Sequence, residues 1–215
     1  MASIPPQFAD TSLQQQLTTA RGLSERLERS GSELYSGISA LDECFADVRP
    51  GDVIEWGIPP GLNGRLIPLQ LLKHDIPPSV WIYHHHGLGV FASSWLGHGV
   101  DLQRLFFLCS EHPVQELRPL FLEDTFQRII IDSPRRFSSG DMAFVSQQAR
   151  SHGQIVFLIR HYFLSEKQGN PHASLRINTW QSGKRAFSLQ IIKGAAPGRV
   201  SLPYRAVAED HAAYH

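Results

Sequence analysis

Gly51-Asp-Val-Ile-Glu-Trp-Gly-Ile-Pro-Pro-Gly-Leu-Asn-Gly-Arg-Leu-Ile-Pro68 is the stretch on which the reading of this chain turns. An apolar strand containing Val53, Ile54 and Trp56 runs into a Gly/Pro turn, and a Leu-rich segment follows. That is the layout of a phosphate-binding loop, whose working form reads G-x-x-x-x-G-K-[ST]. Its glycines let backbone N–H groups wrap phosphates, its Lys reaches the outer phosphates, and its hydroxyl holds Mg²⁺. Here six residues separate Gly57 from Gly64, with Gly61 between them; Arg65 takes the Lys position and Leu66 the hydroxyl position. The shape signals are present and the chemistry is altered.

The 215 residues bound the answer to one domain with extras, or a small two-domain protein. Hydrophobic content of 42% and charged content of 19% are globular values, and the formal net charge is zero. A neutral whole-molecule field does not favour nucleic acid or acidic membrane. Cys44 and Cys109 sit in apolar contexts and read as buried, reduced thiols. No apolar run reaches the roughly 18 residues of a membrane span. The start, Met-Ala-Ser-Ile-Pro-Pro, lacks the pattern of a signal peptide. A cytoplasmic protein is expected, with nucleoid association open.

Residues 1–32 differ from the rest. Asp10-Thr11-Ser12 offer N-caps before Leu13, Leu17, Ala20 and Leu27, which share one helical face. This predicts a helical arm, packed on its own domain or reserved for a partner. Over 33–203 the pattern alternates. Strands are expected at Val53–Trp56, Val80–Tyr83, Leu105–Leu108, Arg128–Ile131 and Ile155–Ile159. Helices are expected near 64–73, 88–97, 113–123 and 139–151. Near-continuous apolar runs such as Ile155–Ile159 suit parallel strands buried on both faces, so the fold class is α/β with a mostly parallel sheet. Ser174–Thr179 and Phe187–Lys193 flank a Gln181–Lys184 turn and predict a closing β-hairpin. Residues 204–215 read as a flexible tail.

The order of these pieces carries a resemblance. Tyr35-Ser-Gly-Ile-Ser-Ala-Leu-Asp42, followed by Gly51–Trp56, resembles the opening of RecA-type proteins, where such a segment precedes the first strand and the P-loop. Gly97–Cys109 looks like the helix end that enters their third strand, and Arg128-Ile-Ile-Ile-Asp-Ser133 like their Walker B strand. Ile155–His161 falls where the strand with the phosphate-sensing polar residue stands. Ala173–Ile177 and Leu189–Pro197 resemble the closing hairpin, so the likeness covers about residues 34–203. Within that superfamily, the size and altered loop are most similar to the ImuA family encoded with translesion-synthesis genes, with the SulA-like division inhibitors as runner-up.

Hydrolysis in such a fold needs a phosphate cradle with Lys, a Mg²⁺-holding hydroxyl, a Walker B carboxylate and a carboxylate that orients water. Arg65 and Leu66 replace the first two, and Pro68 follows in the next segment. Asp132 is either a Walker B acid or, as favoured here, a strand-end Asp capping the Ser133-Pro134 turn. The place of the water-orienting acid reads Tyr83-His84-His85-His86. No catalytic residue, no ATP hydrolysis, and neither nucleotide, Mg²⁺ nor another metal as cofactor is expected, with residual nucleotide binding open. The His run is read as loop filler rather than a metal site, since adjacent imidazoles diverge; His211 and His215 make an equally weak metal pair. In RecA-type proteins the loops after this strand and the next touch single-stranded DNA. Arg135, Arg136 and Phe137, with Lys167 in the second loop, form a possible basic contact, equally suited to an acidic protein surface or to a solvated loop. No G-x-S-x-G elbow surrounds Ser36, Ser93 or Ser94.

The resemblance therefore implies a non-catalytic accessory of SOS-induced translesion DNA synthesis. Its implied partners are an ImuB-like Y-family protein, an error-prone C-family polymerase and RecA, with DNA contacted weakly or indirectly. The Leu13, Leu17 and Leu27 stripe is the candidate interface. A SulA-like inhibitor of FtsZ, or an active RecA/KaiC-type ATPase, are the alternatives.

Overall fold

The computed structural model describes residues 34–74, 76–84, 90–134, 136–167, 169–194 and 198–208. All belong to the unit Ser32–His215. The expected N-terminal arm with Leu13, Leu17 and Leu27 lies outside the described residues, as do His85, His86, Arg135, His211 and His215.

Each apolar run forms a strand: β1 Val53–Gly57, β2 Ser79–Tyr83, β3 Leu105–Cys109, β4 Arg128–Asp132, β5 Ile155–Arg160, β6 Leu175–Gln181, β7 Ala186–Lys193 and β8 Gly198–Pro203. They make one sheet in the order β3-β2-β4-β5-β1-β6-β7-β8. The pairs from β3 through β6 are parallel, and β6–β7 and β7–β8 are antiparallel. β1 is buried along its whole length, held by Ile54 opposite Phe157 on one side and Leu175 on the other. The expected hairpin is β6–β7, and the sheet gains a further strand, β8.

Helices lie on both faces: α1 Ser39–Asp42 with a 3₁₀ turn over Glu43–Phe45, α2 Leu66–Gln70, α3 Ala92–Gly97, α4 Pro113–Glu116, α5 Pro119–Leu122, α6 Ser139–His152 and α7 Tyr204–Ala208. One face gathers Phe45, Trp56, Trp81 and Phe157 with residues of α1, α2 and α7; the other gathers Val80, Ile131 and Leu158 under Val145 and Ala149 of α6. This is an α/β fold with a mostly parallel mixed sheet flanked by helices. Alternation of side chains along each strand divides the two cores.

Three expected helices are shorter than the apolar pattern suggested, for reasons that lie in the chain. The 113–123 helix breaks into α4 and α5 because Pro119 cannot continue a preceding turn. The helix after the glycine turn holds only five residues, with Pro68 in its first turn. The 88–97 segment is helical over Ala92–Gly97. α6, by contrast, is fully formed. Ser138 accepts from the Asp141 N–H at 3.1 Å, the Asp141 carboxylate accepts from the Ser138 N–H at 2.8 Å, and Gly153 ends the helix at φ +65°.

Two expectations are corrected. Residues 204–208, read as the start of a flexible tail, form α7: Val207 is fully buried, and its carbonyl accepts from Gln70 Nε2 at 2.8 Å. Cys109 is exposed, since it ends β3, an outer strand, and Cys44, in the 3₁₀ turn, is only half-buried; both thiols are free. Among the described residues no helix is long and apolar enough to cross a membrane.

Candidate functional site

The parallel strands end together at one edge of the sheet, where open α/β folds place their ligands. Gly57 closes β1, Asp132 closes β4, and His161 follows β5, which runs between them. Asp132 shares the face of Ile130, and Ile130 stands beside Trp81 in the sheet. Trp81 Nε1 consequently donates to Asp132 Oδ2 at 3.2 Å.

Arg65 sits one residue before α2, at the end of the glycine turn. Its side chain turns across the end of β5 onto Asp132. Nη2 donates to Oδ1 at 2.6 Å and Nε to Oδ2 at 3.2 Å, a two-pronged pair. His161 Nε2 contacts the same Nη2 and stands 3.6 Å from Asp132 Oδ1. Arginine only donates, so a neutral imidazole facing Arg65 presents Nε2 as an acceptor. A protonated ring would instead offer that N–H to Asp132 and set its charge beside Arg65. The Asp132 side chain is 5% exposed and that of Arg65 18%. Burial pushes the Asp132 carboxyl up, but the hydrogen bonds and charges of His161 and Arg65 outweigh it and hold the group below the usual carboxylate range.

Among the described residues the Asp132 carboxylate is held by Arg65, Trp81 and His161, and the N–H of Arg135, which the expected cap on the Ser133-Pro134 turn would use, lies outside them. Ser133 takes φ +51°, and its N–H donates to the Ile159 carbonyl at 3.0 Å.

The glycine turn packs onto β6. Gln181 N–H donates to the Leu62 carbonyl at 2.7 Å, Asn63 Nδ2 to Gln181 Oε1 at 2.7 Å, and Thr179 Oγ1 to the Gly64 carbonyl at 3.2 Å. A Cβ on Gly64 would collide with the Thr179 carbonyl oxygen, and one on Gly57 with Asn178 Oδ1. Gly61 instead takes φ +77° with open space around it. Two of the three glycines are thus accounted for by close approach of protein to protein.

These residues do not fit a Mg²⁺-nucleotide. Leu66 supplies no ligand, the carboxylate that would face the metal is paired with Arg65 and Trp81, and the cation that would meet phosphate is spent on that carboxylate. The helix behind the turn is too short to present a developed N-terminal dipole.

A second ionic cluster lies on the opposite face of β1, and sequence reading missed it. Glu55 is fully buried and bonded by Arg160 Nε at 3.0 Å and by the Asn170 N–H at 2.6 Å, with Arg176 Nε at 3.4 Å. Asn178 donates from Nδ2 to the Leu164 carbonyl at 3.0 Å and accepts from the Leu164 N–H at 2.7 Å. Arg176 Nη2 donates to the Ser165 carbonyl at 2.6 Å. Together these ties fix the segment between β5 and β6 against the sheet. A Glu in the middle of an otherwise apolar strand was the available signal, because a buried carboxylate requires cationic partners.

The remaining sequence candidates are dispersed. Arg136 and Lys167 are exposed on separate loops. Phe137 is half-buried, with the Arg160 guanidinium over one face of its ring at 5.5 Å. His84, read as loop filler, is 8% exposed and belongs to the interior. Among the described residues no group of three or more His, Cys, Asp or Glu is placed to hold a metal ion. No protein-family model matches this chain, and no curated protein matches it significantly.

Proposed function

We propose that this chain is a RecA-like, non-catalytic accessory protein of SOS-induced translesion DNA synthesis, related to the ImuA family, and that it acts through protein contacts. The observation that carries the reading is the Arg65–Asp132 pair. The residue at the P-loop Lys position and the residue at the Walker B position meet each other across the strand ends, where a working site would hold them apart on phosphate and metal. The motif order behind the resemblance runs along one sheet: the glycine turn follows central β1, Asp132 ends β4, His161 follows β5 and the hairpin closes the sheet beside β1. Such a core retains the RecA-type frame and uses its nucleotide corner as a structural joint. The implied partners are an ImuB-like Y-family protein, an error-prone C-family polymerase and RecA.

The test has two arms. Affinity capture of the tagged full chain from DNA-damaged cells, read by mass spectrometry, is expected to recover those three partners. Purified protein is expected to show no ATP turnover above a blank. Hydrolysis abolished by Arg65→Ala would sink the non-catalytic reading in favour of an active RecA/KaiC-type ATPase. Capture of FtsZ without the polymerase partners would replace it with the SulA-like one.

A further inference from the structure

His161 has two incompatible ways to meet the corner. It follows β5 directly, where the Arg160 carbonyl accepts from the Ile58 N–H at 2.7 Å, so its backbone is anchored between β4 and β1. Its Nε2 lies against Arg65 Nη2 and 3.6 Å from Asp132 Oδ1. The neutral ring can accept from Arg65, whose Nη2 also donates to Asp132 Oδ1 at 2.6 Å. The protonated ring carries a hydrogen on both nitrogens and accepts nothing. It then faces the guanidinium donor to donor and cation to cation, beside a carboxylate only 5% exposed. Little water is there to screen the repulsion.

The charges around the ring come from few elements. Arg65 stands at the end of the glycine turn and Asp132 at the end of β4, while β2 contributes Trp81 and Tyr83 on one face. α2, Leu66–Gln70, carries no charged residue. Arg160, next in the chain, is turned away: its Nε donates to Glu55 Oε1 at 3.0 Å and its guanidinium lies over Phe137. Arg136, in the loop after β4, is exposed, and Arg135 lies outside the described residues. Imidazole is the side-chain type whose charge changes between about pH 5 and 8. Asp132, held below the usual carboxylate range, keeps its charge across that interval. One proton on the ring therefore takes the corner from a neutral ion pair to a net positive charge.

We infer that His161 is a pH-sensitive release for this corner: protonation transfers the Asp132 carboxylate from Arg65 to the imidazolium and frees the guanidinium from β4. Arg65 is the cation that leaves. It belongs to a turn with only a five-residue helix behind it, whereas His161 is anchored at the end of a strand inside the sheet. The glycine turn is held on two sides, by Thr179 and Gln181 of β6 and by the Arg65 side chain onto β4. Release of Arg65 removes the second tie and keeps the first. At neutral pH the joint is closed, and toward pH 5 the turn is held by β6 alone. The inference stands independently of the proposed function.

Amide exchange of the full chain, compared at about pH 7.5 and about pH 5.5 and corrected for the intrinsic rate at each, reads the release. The Leu66 and Ile67 N–H groups donate to the Asn63 and Gly64 carbonyls at 3.1 and 3.2 Å. Their protection is expected to fall about tenfold or more on acidification, the size of one hydrogen bond to a charged group. The Ser79 and Ser110 N–H groups, which donate to the Arg104 and Tyr83 carbonyls, are expected to hold theirs. His161→Gln keeps an acceptor for Arg65 and has no proton to gain, so its turn is expected to stay protected at both pH values. The Arg65 Nε–H, followed by nitrogen-15 NMR, is expected to be protected at the higher pH and to exchange with water at the lower. Turn protection that does not change with pH in wild type overturns the inference, as does an equal loss in His161→Gln or one shared by Ser79 and Ser110. An Arg65 Nε–H still protected at the lower pH also overturns it, since the ring alone has then moved aside. If His161→Gln fails to fold, that wild-type signal decides.

Discussion

At the corner where β1, β4 and β5 end, the choice of arginine at position 65 decides what the cation can do there. Lysine there would present a point charge on a flexible stem, whereas arginine offers a planar fork that matches a carboxylate. With Asp132 buried, the fork becomes a structural requirement. Arg65→Ala leaves that carboxylate with only Trp81 and His161, and it is expected to cost about 3 kcal/mol of unfolding free energy in urea denaturation. The pair also makes a pH signature. The Asp132 carboxyl lies low in the fold and at its ordinary value, about 3.9, in the unfolded chain, so the unfolded state takes up the proton first. The stabilisation is thus complete above that ordinary value and is lost as pH falls through the folded one. Melting curves from neutral to acid pH should show Asp132→Asn less stable than wild type at neutrality. The gap should narrow on acidification, because the variant has no charge to lose.

The glycine turn and the segment after β5 are the two elements that build the edge, and each is held for its own reason. Gly64 is pressed on the Thr179 carbonyl, so Gly64→Ala must push the turn off β6; about 2 kcal/mol or more is expected in chemical unfolding. Gly61 has room but a left-handed backbone, so Gly61→Ala is expected to cost only about 1 kcal/mol. A larger loss at Gly61 than at Gly64 would refute the packing account. The segment after β5 depends on Glu55. Glu55→Gln keeps hydrogen bonding but leaves Arg160 and Arg176 facing a neutral group. Amide exchange should quicken over Leu164–Glu166 and at Asn170 while the β2–β3 amides hold their protection.

At the scale of the molecule the question is whether the corner remains a ligand site at all. A ligand that binds only the folded state raises the melting temperature through mass action, by about 2.7 kcal/mol at a hundred times its dissociation constant. With the cation and the carboxylate of the corner engaged with each other, millimolar ATP and Mg²⁺ are expected to leave the melting temperature of the wild type unchanged. A rise that Arg65→Ala abolishes would show the pair opening for phosphate.

Strand positions were legible because runs such as Ile129–Ile131 and Ile155–Ile159 are continuous and apolar, and burial on both faces leaves few other uses for them. The glycine turn was legible from Gly57, Gly61 and Gly64, and α6 as the helical segment expected near 139–151; its Ser138 cap and Gly153 stop emerged only with the structure. β8 and α7 were missed because their segment looks polar and terminal; only the contact of Val207 with the α2 face gives them a reason to order. The sequence by itself determined the α/β class and that positions 65 and 66 after the glycine turn hold arginine and leucine, neither a lysine nor a hydroxyl, since those follow from composition and local spacing. What Arg65 and Asp132 do was decided by the tertiary structure alone. They stand 67 positions apart in the chain, and only the placement of β4 two strands from β1 brings guanidinium to carboxylate in a site dry enough for the pair to matter.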